Sequence, residues 1–329
     1  MVKVSVIMSV YNEKEFLLDS IRSILNQSFE DFEFIIIDDG SEISIRPLIA
    51  SFRDDRIKLI VNKENRGLTA SLNTCLFWAN GEYLARQDSD DISERTRLFE
   101  QVRYLDNHPE VGLVGTSCTI IDEMDEVIDD WEAMPDPTNS LSSRNKITHG
   151  SVMFRRSVME DIGKYDEHFK YAQDYDYWLR ISKKYQIRNL SGRLYQSRVH
   201  SNMIGQSKAE EQALYVLLAQ RKASGSDNLE PLKYGSLARK EKIRYHNIVA
   251  YSYLQGNDMA QVSREINRLW MIDPLNVENI ILATAAFIGG KDGVKKALNA
   301  YRKIRAKLSG IKLKILRTGY ASQTSKLSQ

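Results

Sequence analysis

The sequence predicts an α/β protein whose mostly parallel sheet is flanked by helices and followed by an α-helical C-terminal extension. The first 120 residues or so alternate short β-branched runs with segments of helical periodicity, as βαβ units do. The last part of the chain instead has helical patterns separated by Gly and Pro. With 42% hydrophobic and 27% charged residues, the 329-residue chain has a globular composition and room for two domains.

Five apolar runs are predicted as strands, at residues 4–10, 32–37, 57–61, 83–87 and 111–115. Apolar residues between these runs recur every three or four positions, which predicts sheet-covering helices over residues 13–26, 67–78 and 94–107. Strands that alternate with helices in this way run parallel, so one sheet should contain all five strands.

Beyond the fifth strand, the pattern breaks down between residues 123 and 146 into acids, prolines and a Ser/Asn cluster. This composition predicts a long loop over the sheet, and long loops inside compact domains are usually functional. Order returns with an apolar segment at residues 149–154, a helix over 174–183 and a last strand at 194–199.

The chain is predicted to divide into a domain over residues 1–205, a polar linker region over 206–239 and a helical extension over 240–329. Within the extension, helices are expected at 240–253, 259–271, 277–288 and 294–308. The spacing of these helices loosely resembles tetratricopeptide-type repeats, but the segment contains only about two units where three are usual. A plain helical hairpin extension is the alternative.

Two cysteines make no disulfide framework and have no CxxC spacing. Cys75 falls in a helical pattern and Cys118 in a strand-like one, so both are expected to be buried free thiols. The N-terminus has no signal-peptide pattern, and no apolar run is long enough to span a bilayer. We therefore expect a cytoplasmic protein, with peripheral attachment to the inner face of the cell membrane left open.

Polar residues follow the first predicted strand at its carboxyl end, where an open α/β sheet places its ligand. Ser9, Tyr11 and Glu13 are therefore candidates for lining a site. Asn12 directly precedes Glu13 and is a suitable N-cap for the following helix, so helix capping is the alternative role of this segment.

The next two strands also end in polar groups. Asp38 and Asp39 are adjacent carboxylates that repel unless one finds hydrogen-bond donors or a cation, and a nucleobase imide is a suitable donor. Arg66 can contact a phosphate or a base, and Gly67 permits an uncommon backbone angle. A helix cap with a surface arginine is the alternative.

The fourth strand is followed by three carboxylates in four residues, Asp88, Asp90 and Asp91. Such a cluster is unfavourable without a hard cation, and oxygen ligands beside a diphosphate point to Mg²⁺ or Mn²⁺. A solvated acidic turn is the alternative.

Taken in order and spacing, these four segments resemble glycosyltransferase family 2, whose members have the GT-A fold. The first reads Val-Ser-Val-Ile-Met-Ser-Val-Tyr-Asn-Glu over residues 4–13, the second Ile-Asp-Asp-Gly-Ser over 37–41, and the third Asn-Arg-Gly over 65–67. The carboxylates of residues 88–91 form the fourth. The resemblance covers about residues 2 to 205 and implies an inverting, metal-dependent hexosyltransferase that uses a nucleotide-diphospho-sugar.

The resemblance also implies roles for individual residues. It implies that Ser9, Tyr11 and Glu13 surround the uridine and ribose, that Asp39 reads the base and that Arg66 contacts the nucleotide. Asp88 and Asp90 match the DxD motif. The implied metal ligands are Asp90, Asp91 and His200, and the implied cofactor is Mn²⁺ or Mg²⁺. A structural histidine is the alternative for His200.

A further carboxylate, Asp174, matches the family's general base. An inverting transfer needs such a group to take the proton of the acceptor hydroxyl. Gln173 stands where the family commonly has Glu, which leaves its own role open, and an N-cap of the following helix is the alternative role of Asp174. His149, Gly150 and Ser151 resemble the segment that lines the acceptor side.

The resemblance implies transfer from a UDP-sugar to a glycan or lipid-linked acceptor in the synthesis of bacterial surface polysaccharide. A rival is nucleotidyl transfer to a sugar phosphate, but its usual Gly-rich basic loop is missing after the first strand. Another is a non-catalytic scaffold with a vestigial site, against which the retained carboxylates argue.

The C-terminal tail is strongly basic. Residues 291–329 carry eleven Lys or Arg and one acid, Asp292, for a charge of +10, so the rest of the chain sums to −8 within a net charge of +2. The tail is typical of contact with an anionic membrane surface or nucleic acid, and a solvated helix face is the alternative. Since the implied acceptors include lipid-linked glycans, a membrane partner is expected and nucleic acid is not.

Overall fold

The computed structural model describes residues 2–200, 203–256 and 258–273. Its strands are β1 Val4–Val10, β2 Phe32–Asp38, β3 Ile57–Val61, β4 Tyr83–Arg86, β5 Ile92–Ser93, β6 Val111–Ile121, β7 Val127–Trp131, β8 Met153–Arg155 and β9 Gln186–Arg198. In this part of the chain the nine strands form one sheet in the order β3-β2-β1-β4-β8-β6-β9-β5, with β7 paired to β6.

The helices are α1 Leu17–Leu25, α2 Arg46–Ser51, α3 Leu68–Trp78, α4 Arg97–Asn107, α5 Arg156–Ile162, α6 Gln173–Ile181, α7 Ile204–Ser207, α8 Ala209–Ala223, α9 Arg239–Gln255 and α10 Met259–Ile272. Short 3₁₀ turns lie at Thr138–Ser140, His149–Ser151 and Tyr234–Ser236. The α/β fold with a mostly parallel sheet flanked by helices is confirmed.

Strands β1, β2, β3 and β4 pair in parallel, as do β6 and β9. Strand β8 joins these two parallel groups by pairing antiparallel to both β4 and β6. The carboxyl ends of β1, β2 and β4 therefore lie side by side, which places the loops that follow them along one edge of the sheet.

Strand β1 explains why the centre of the sheet is stable. All of its residues are buried, and successive side chains point to opposite faces. Val6 and Met8 belong to a core cluster with Leu17 and Ile21 of α1, whereas Ile7 belongs to the cluster on the other face. A strand covered on both faces reads as a continuous apolar run, which is why β1 could be located from sequence.

Three predicted segments, two strands and one loop, differ clearly from the observed structure. Strands β6 and β9 extend well beyond residues 111–115 and 194–199, because they pair in parallel along most of their length with register shifts that a short apolar run does not reveal. The loop predicted over 123–146 contains β7, whose exposed residues pair with β6. Exposed acidic residues carry little strand signal, so this strand was missed.

Cys75 and Cys118 are both free and buried, as expected. Cys75 lies on α3 against the sheet, where its thiol contacts the Met8 carbonyl oxygen at 3.4 Å. Burial raises the pKa of each thiol to about 12. Both are thus protonated at neutral pH and serve as small packing groups.

The described residues fall into two compact units, one within residues 2–203 and 214–232 and the other within residues 204–213 and 233–273. The predicted boundary at residue 205 stays a prediction, although the expected linker over 206–239 contains the helix α8. Helices α9 and α10 occupy the first two helical segments expected in the extension. The expected helices at 277–288 and 294–308 and the basic tail lie outside the described residues.

Candidate active site

The loops that follow β1 and β2 are hydrogen-bonded to each other. The backbone amide of Asn12 donates to Ser41 Oγ at 3.0 Å, and the backbone amide of Glu42 donates to Asn12 Oδ1 at 2.9 Å. Asn12 has φ +54°, a left-handed conformation that Asn tolerates better than most residues. Because α1 begins only at Leu17, Asn12 is not its N-cap, and the capping alternative for this residue is wrong.

The three predicted ligand-lining residues of the first loop are placed differently. Ser9 is buried in β1, whereas Tyr11 is exposed in the loop that follows β1. Glu13 is half-buried and accepts a hydrogen bond from the backbone amide of Phe16 at 3.0 Å. Its charge also acts on His200, so Glu13 belongs to the same neighbourhood as the predicted metal ligands.

Asp39 is buried, and its carboxylate organises the segment after β3. It accepts hydrogen bonds from Asn62 Nδ2 at 2.7 Å and from the backbone amides of Arg66 and Gly67 at 3.0 and 2.9 Å. An ionised carboxylate offers about four acceptor positions, so one remains for a donor such as a nucleobase imide. Asn62 was not predicted from sequence, because a single Asn after a strand has no distinctive pattern.

Arg66 and Gly67 lie at the start of α3. Gly67 has φ +88°, in the left-handed region that favours glycine, and this conformation directs its amide at Asp39. The Arg66 side chain is exposed beside the buried carboxylate. The cation of Arg66 is thus presented to solvent at the edge of the sheet where the predicted site lies.

The segment that follows β4 starts with an ion pair. Asp88 Oδ1 accepts a hydrogen bond from the guanidinium of Arg86, which is 1% exposed at the end of β4. The Asp88 carbonyl oxygen accepts from Ser20 Oγ of α1 at 2.7 Å. One buried arginine and one helix residue therefore fix the first carboxylate of the cluster.

The other two carboxylates have different environments. Asp90 Oδ2 lies 3.0 Å from His200 Nε2, and this hydrogen bond, together with the Asp90 charge, raises the pKa of His200. Asp91 is buried and accepts the Arg198 backbone amide at 2.7 Å. Burial, followed by the charges of Asp90 and Asp88, raises the pKa of Asp91 well above its usual value.

This arrangement fits a divalent cation held jointly by protein and ligand. Asp90 and His200 offer one oxygen and one nitrogen ligand, and a bound ion would take the place of the 3.0 Å hydrogen bond between Asp90 Oδ2 and His200 Nε2. In the described part of the chain, no group of three His, Cys, Asp or Glu side chains is placed to hold a metal. Mg²⁺ and Mn²⁺ sites of this kind take their other ligands from substrate phosphates and water.

Asp174 lies in the first turn of α6, and Asn145 Nδ2 donates to its Oδ2 at 3.2 Å. The helix begins at Gln173 after Ala172 and has no side-chain cap, so the N-cap alternative for Asp174 is wrong. The carboxylate of Asp174 is half-buried, while Gln173 beside it is buried.

His149 is within electrostatic range of both Asp174 and the carboxylate segment. Its Nε2 lies 3.2 Å from the Tyr165 hydroxyl, and its ring packs edge-on to Trp178. Burial and then the Arg86 cation lower the pKa of His149, while the charges of Asp174 and Asp88 act in the opposite direction. The charges of Asp174 and Asp88 thus both act on the imidazole of His149. This residue belongs to the turn at residues 149–151 that is predicted to line the acceptor side.

Two neighbouring carboxylates are already neutralised by cations. Asp176 is buried between Arg180 and Lys222, each at 2.8 Å. The Lys222 ammonium also lies 2.7 Å from Asp166. Although burial opposes ionisation of Asp166, Lys222 and His168 outweigh it and lower the pKa of Asp166 to about 2. Both carboxylates are therefore poor candidates for a general base.

The buried residues that hold the carboxylate segment were not predicted from sequence. Tyr195 and Arg198 come from distant positions and contact the segment itself, whereas Arg97 donates to the carbonyl oxygen of Arg86 at the end of β4. An arginine in an amphipathic helix or a strand is usually exposed, so sequence gave no sign that Arg97 is fully buried.

The fold is similar to those of two solved structures. The crystal structure of S. aureus TarS residues 1–349 in complex with UDP-GlcNAc aligns with a TM-score of 0.57 over 92% of each chain at 16% identity. The mannosyltransferase PcManGT from Pyrobaculum calidifontis, in complex with GDP-Man and Mn²⁺, aligns with a TM-score of 0.55 over 90% of this chain and 86% of that one at 17% identity. The fold is of the GT-A type.

Sequence comparison gives the family. The profile of "Glycosyl transferase family 2" matches residues 5–163. The chain is 38% identical over 210 residues to the putative glycosyltransferase EpsE of Bacillus subtilis (strain 168), covering 61% of this chain and 74% of the relative. It is 34% identical over 209 residues to the O-antigen biosynthesis glycosyltransferase WbnJ of Escherichia coli, covering 60% and 80%. The chain belongs to glycosyltransferase family 2 and is an enzyme of that class.

Within the described residues, no helix combines the length and apolar character that crossing a membrane requires.

Proposed function

We propose that the chain is an inverting, metal-dependent glycosyltransferase that moves a sugar from UDP to a glycan or lipid-linked acceptor. The observation that carries this proposal is the turn at residues 149–151, because a Cβ atom at Gly150 would lie 2.5 Å from Asp88 Oδ2 and the His149 ring packs edge-on to Trp178 of α6. This turn therefore lies against both the donor-side carboxylate motif and the helix whose first turn contains Asp174.

On the donor side, the remaining acceptor position of Asp39 would receive the base, and Tyr11 and Ser9 would border the nucleoside. Arg66 would direct its exposed cation toward the diphosphate. Asp90 and His200 would hold the divalent cation, which when bound offsets negative charge on the departing diphosphate. The relatives support this arrangement only in outline, since TarS is bound to UDP-GlcNAc and PcManGT to GDP-Man with Mn²⁺.

On the acceptor side, Asp174 would accept the proton of the hydroxyl that attacks the anomeric carbon. Asn145 donates to Oδ2 of this carboxylate at 3.2 Å, so Oδ1 is the oxygen that would face the acceptor. Attack from the face opposite the departing diphosphate inverts the configuration of the sugar. Because one carboxylate suffices, the reaction needs no covalent intermediate.

The biological context that we propose is synthesis of a bacterial surface polysaccharide. WbnJ is described as an O-antigen biosynthesis glycosyltransferase, and it aligns with 60% of this chain. UDP-sugars as donors and glycans or lipid-linked glycans as acceptors are the substrate classes to test.

Substitution of Asp90 tests the donor site. Asp90→Ala removes a carboxylate that faces His200, so we expect measurable Mn²⁺-dependent binding of UDP to be abolished. Titration calorimetry with UDP and Mn²⁺ measures this binding. The control is Asp31→Ala, which removes an exposed carboxylate just before β2, at the opposite end of the strands. Equal, metal-independent UDP affinity in wild type and Asp90→Ala would remove the metal site from the proposal.

A further inference from the structure

The carboxylate segment of residues 88–91 is tied to one buried phenol. Tyr195 lies on β9 and is 0% exposed. Its hydroxyl accepts a hydrogen bond from the backbone amide of Asp88 at 3.2 Å and also favours the ionised form of the Asp91 carboxyl group, against the burial that raises the pKa of Asp91. Both ends of the segment are therefore influenced by the same hydroxyl group.

Tyr195 is itself held by a buried arginine. The Arg97 guanidinium lies 5.4 Å from the centre of the Tyr195 ring and donates to the carbonyl oxygens of Arg86 and Gly150 at 2.8 and 2.9 Å. Burial lowers the pKa of Arg97 to about 10, so the group is still a cation at neutral pH. This cation supports the ring through its electrostatic attraction to the π-face.

The turn that contains Gly150 packs against the Tyr195 hydroxyl and the Asp88 carboxylate. A Cβ atom at Gly150 would collide with the Tyr195 hydroxyl and would lie 2.5 Å from Asp88 Oδ2. Since real Cβ atoms do not approach so closely, only glycine leaves Tyr195 and Asp88 in these positions. The acceptor-side turn and the carboxylate segment therefore share Tyr195 as a common support.

We propose that Tyr195 is a positioning residue that holds the Asp88–Asp91 segment in the conformation that binds the metal and the nucleotide. Three carboxylates in four residues repel one another, and the segment keeps its shape before the cation binds only if fixed partners oppose that repulsion. Tyr195 does not face the ligand and acts through Asp88 and Asp91. The inference rests on the proposed donor site at Asp90 and His200.

Tyr195→Phe tests this role because it keeps the ring under Arg97 and removes only the hydroxyl. We expect about a tenfold loss of UDP affinity in the presence of Mn²⁺, the size of effect that one hydrogen bond gives. The Mn²⁺ concentration for half-maximal UDP binding should rise in parallel. Calorimetry on the full chain, well below the melting temperature, measures both quantities.

The matched control is Tyr83→Phe. Tyr83 is buried in the same way and its hydroxyl hydrogen-bonds Asp106 and Arg155, but it begins β4 whereas the carboxylate segment follows the other end. Both variants lose a buried phenol hydroxyl, so their melting temperatures should fall by similar amounts. Only Tyr195→Phe should shift the UDP and Mn²⁺ titrations.

Gly150→Ala gives a second route if Tyr195→Phe does not fold, because the added Cβ displaces the hydroxyl or Asp88 without removing either. It should also weaken Mn²⁺-dependent UDP binding. Wild-type UDP and Mn²⁺ affinities retained in both folded variants would overturn the role of Tyr195. Absence of UDP binding in the wild-type chain would instead overturn the proposed donor site.

Discussion

At the scale of single residues, Asp174 and the two neighbouring aspartates differ in the contacts that hold them. Asn145 donates a neutral hydrogen bond to Asp174, whereas Asp176 and Asp166 share the Lys222 ammonium. A carboxylate that is held in a salt bridge accepts a proton from a substrate less readily, which disfavours Asp176 and Asp166 as the base. The geometry at this scale therefore favours Asp174 as the general base.

Asp174→Asn should lower turnover by roughly 10²–10⁴-fold, the usual contribution of a positioned general base. Asparagine keeps the shape and can still contact Asn145 but cannot accept the proton. UDP affinity should change little, because Asp174 serves the acceptor side. The measurements are UDP release with acceptor present, UDP binding and thermal melting.

The comparison variant is Asp176→Asn, which weakens the contacts with Arg180 and Lys222. It should lower the melting temperature while the folded enzyme keeps near-normal turnover. Near-normal turnover in well-folded Asp174→Asn would exclude Asp174 as the base. Loss of melting temperature in proportion to loss of turnover would mean that Asp174 acts only in folding.

At the scale of elements, the sequence predicted the parallel strands well. Strands β1 and β3 have the predicted bounds, and β2 and β4 differ by one residue at their ends. Strands buried on both faces are apolar along their whole length, so their sequence alone identifies them. Strand β7 has mostly exposed residues and was predicted as part of a loop.

The candidate site was predicted only in part. Asp39, Asp90 and His200 follow strands in sequence, and a motif search can find them. Asn62, which donates to Asp39, and Arg198, which donates to the Asp90 carbonyl oxygen, reach these residues only through tertiary contacts between distant segments. Such contacts depend on sheet order and register, which neither periodicity nor spacing determines.

Lys222 of α8 forms ion pairs with Asp166, which precedes α6, and with Asp176, which lies in the first turn of α6. Lys222→Met should reduce the free energy of unfolding by about 2 kcal/mol, because it leaves the buried Asp176 with Arg180 alone and removes a charged hydrogen bond from Asp166. Urea unfolding at neutral pH measures this change. The control is Lys184→Met, which loses an exposed pair with Asp161 and should change stability much less, because solvent screens such a pair.

The ion pair between Lys222 and Asp166 also predicts that the fold loses stability in acid. The pKa of Asp166 is lowered to about 2 in the folded chain, so its ionised form stabilises the fold above the ordinary aspartate pKa near 4. That stabilisation should be lost as the pH falls from about 4 through 2. Lys222→Met should lose less stability than wild type over this range. Identical acid dependence in the two proteins would show that Lys222 does not stabilise Asp166.

At the scale of the whole molecule, the charge is divided unevenly along the chain. The basic tail over residues 291–329 carries +10 and lies outside the described residues, while the preceding chain carries −8. Its cationic residues alternate with apolar ones, a pattern that favours binding to an anionic membrane surface. Such binding would bring the enzyme close to a lipid-linked acceptor.

Replacing six tail cations by Gln should weaken binding to vesicles that contain anionic lipid, and salt should weaken wild-type binding similarly. The replaced residues are Lys303, Arg305, Lys307, Lys312, Lys314 and Arg317. Co-sedimentation with anionic and neutral vesicles measures the effect, and UDP binding serves as the control for folding. Equal, weak binding of both proteins to anionic vesicles would mean that the tail is not a membrane contact.

The measurement that tests the central claim most directly is UDP release from a panel of UDP-, GDP- and dTDP-sugars by the full chain. It requires no knowledge of the acceptor, since water can take the acceptor's place slowly. We predict release from at least one UDP-sugar with Mn²⁺ or Mg²⁺, little release from the GDP- and dTDP-sugars, and none with a chelator or in Asp90→Ala. Equal release with the chelator, or no release from any UDP-sugar by the folded wild-type chain, would contradict a metal-dependent transferase that uses UDP-sugars.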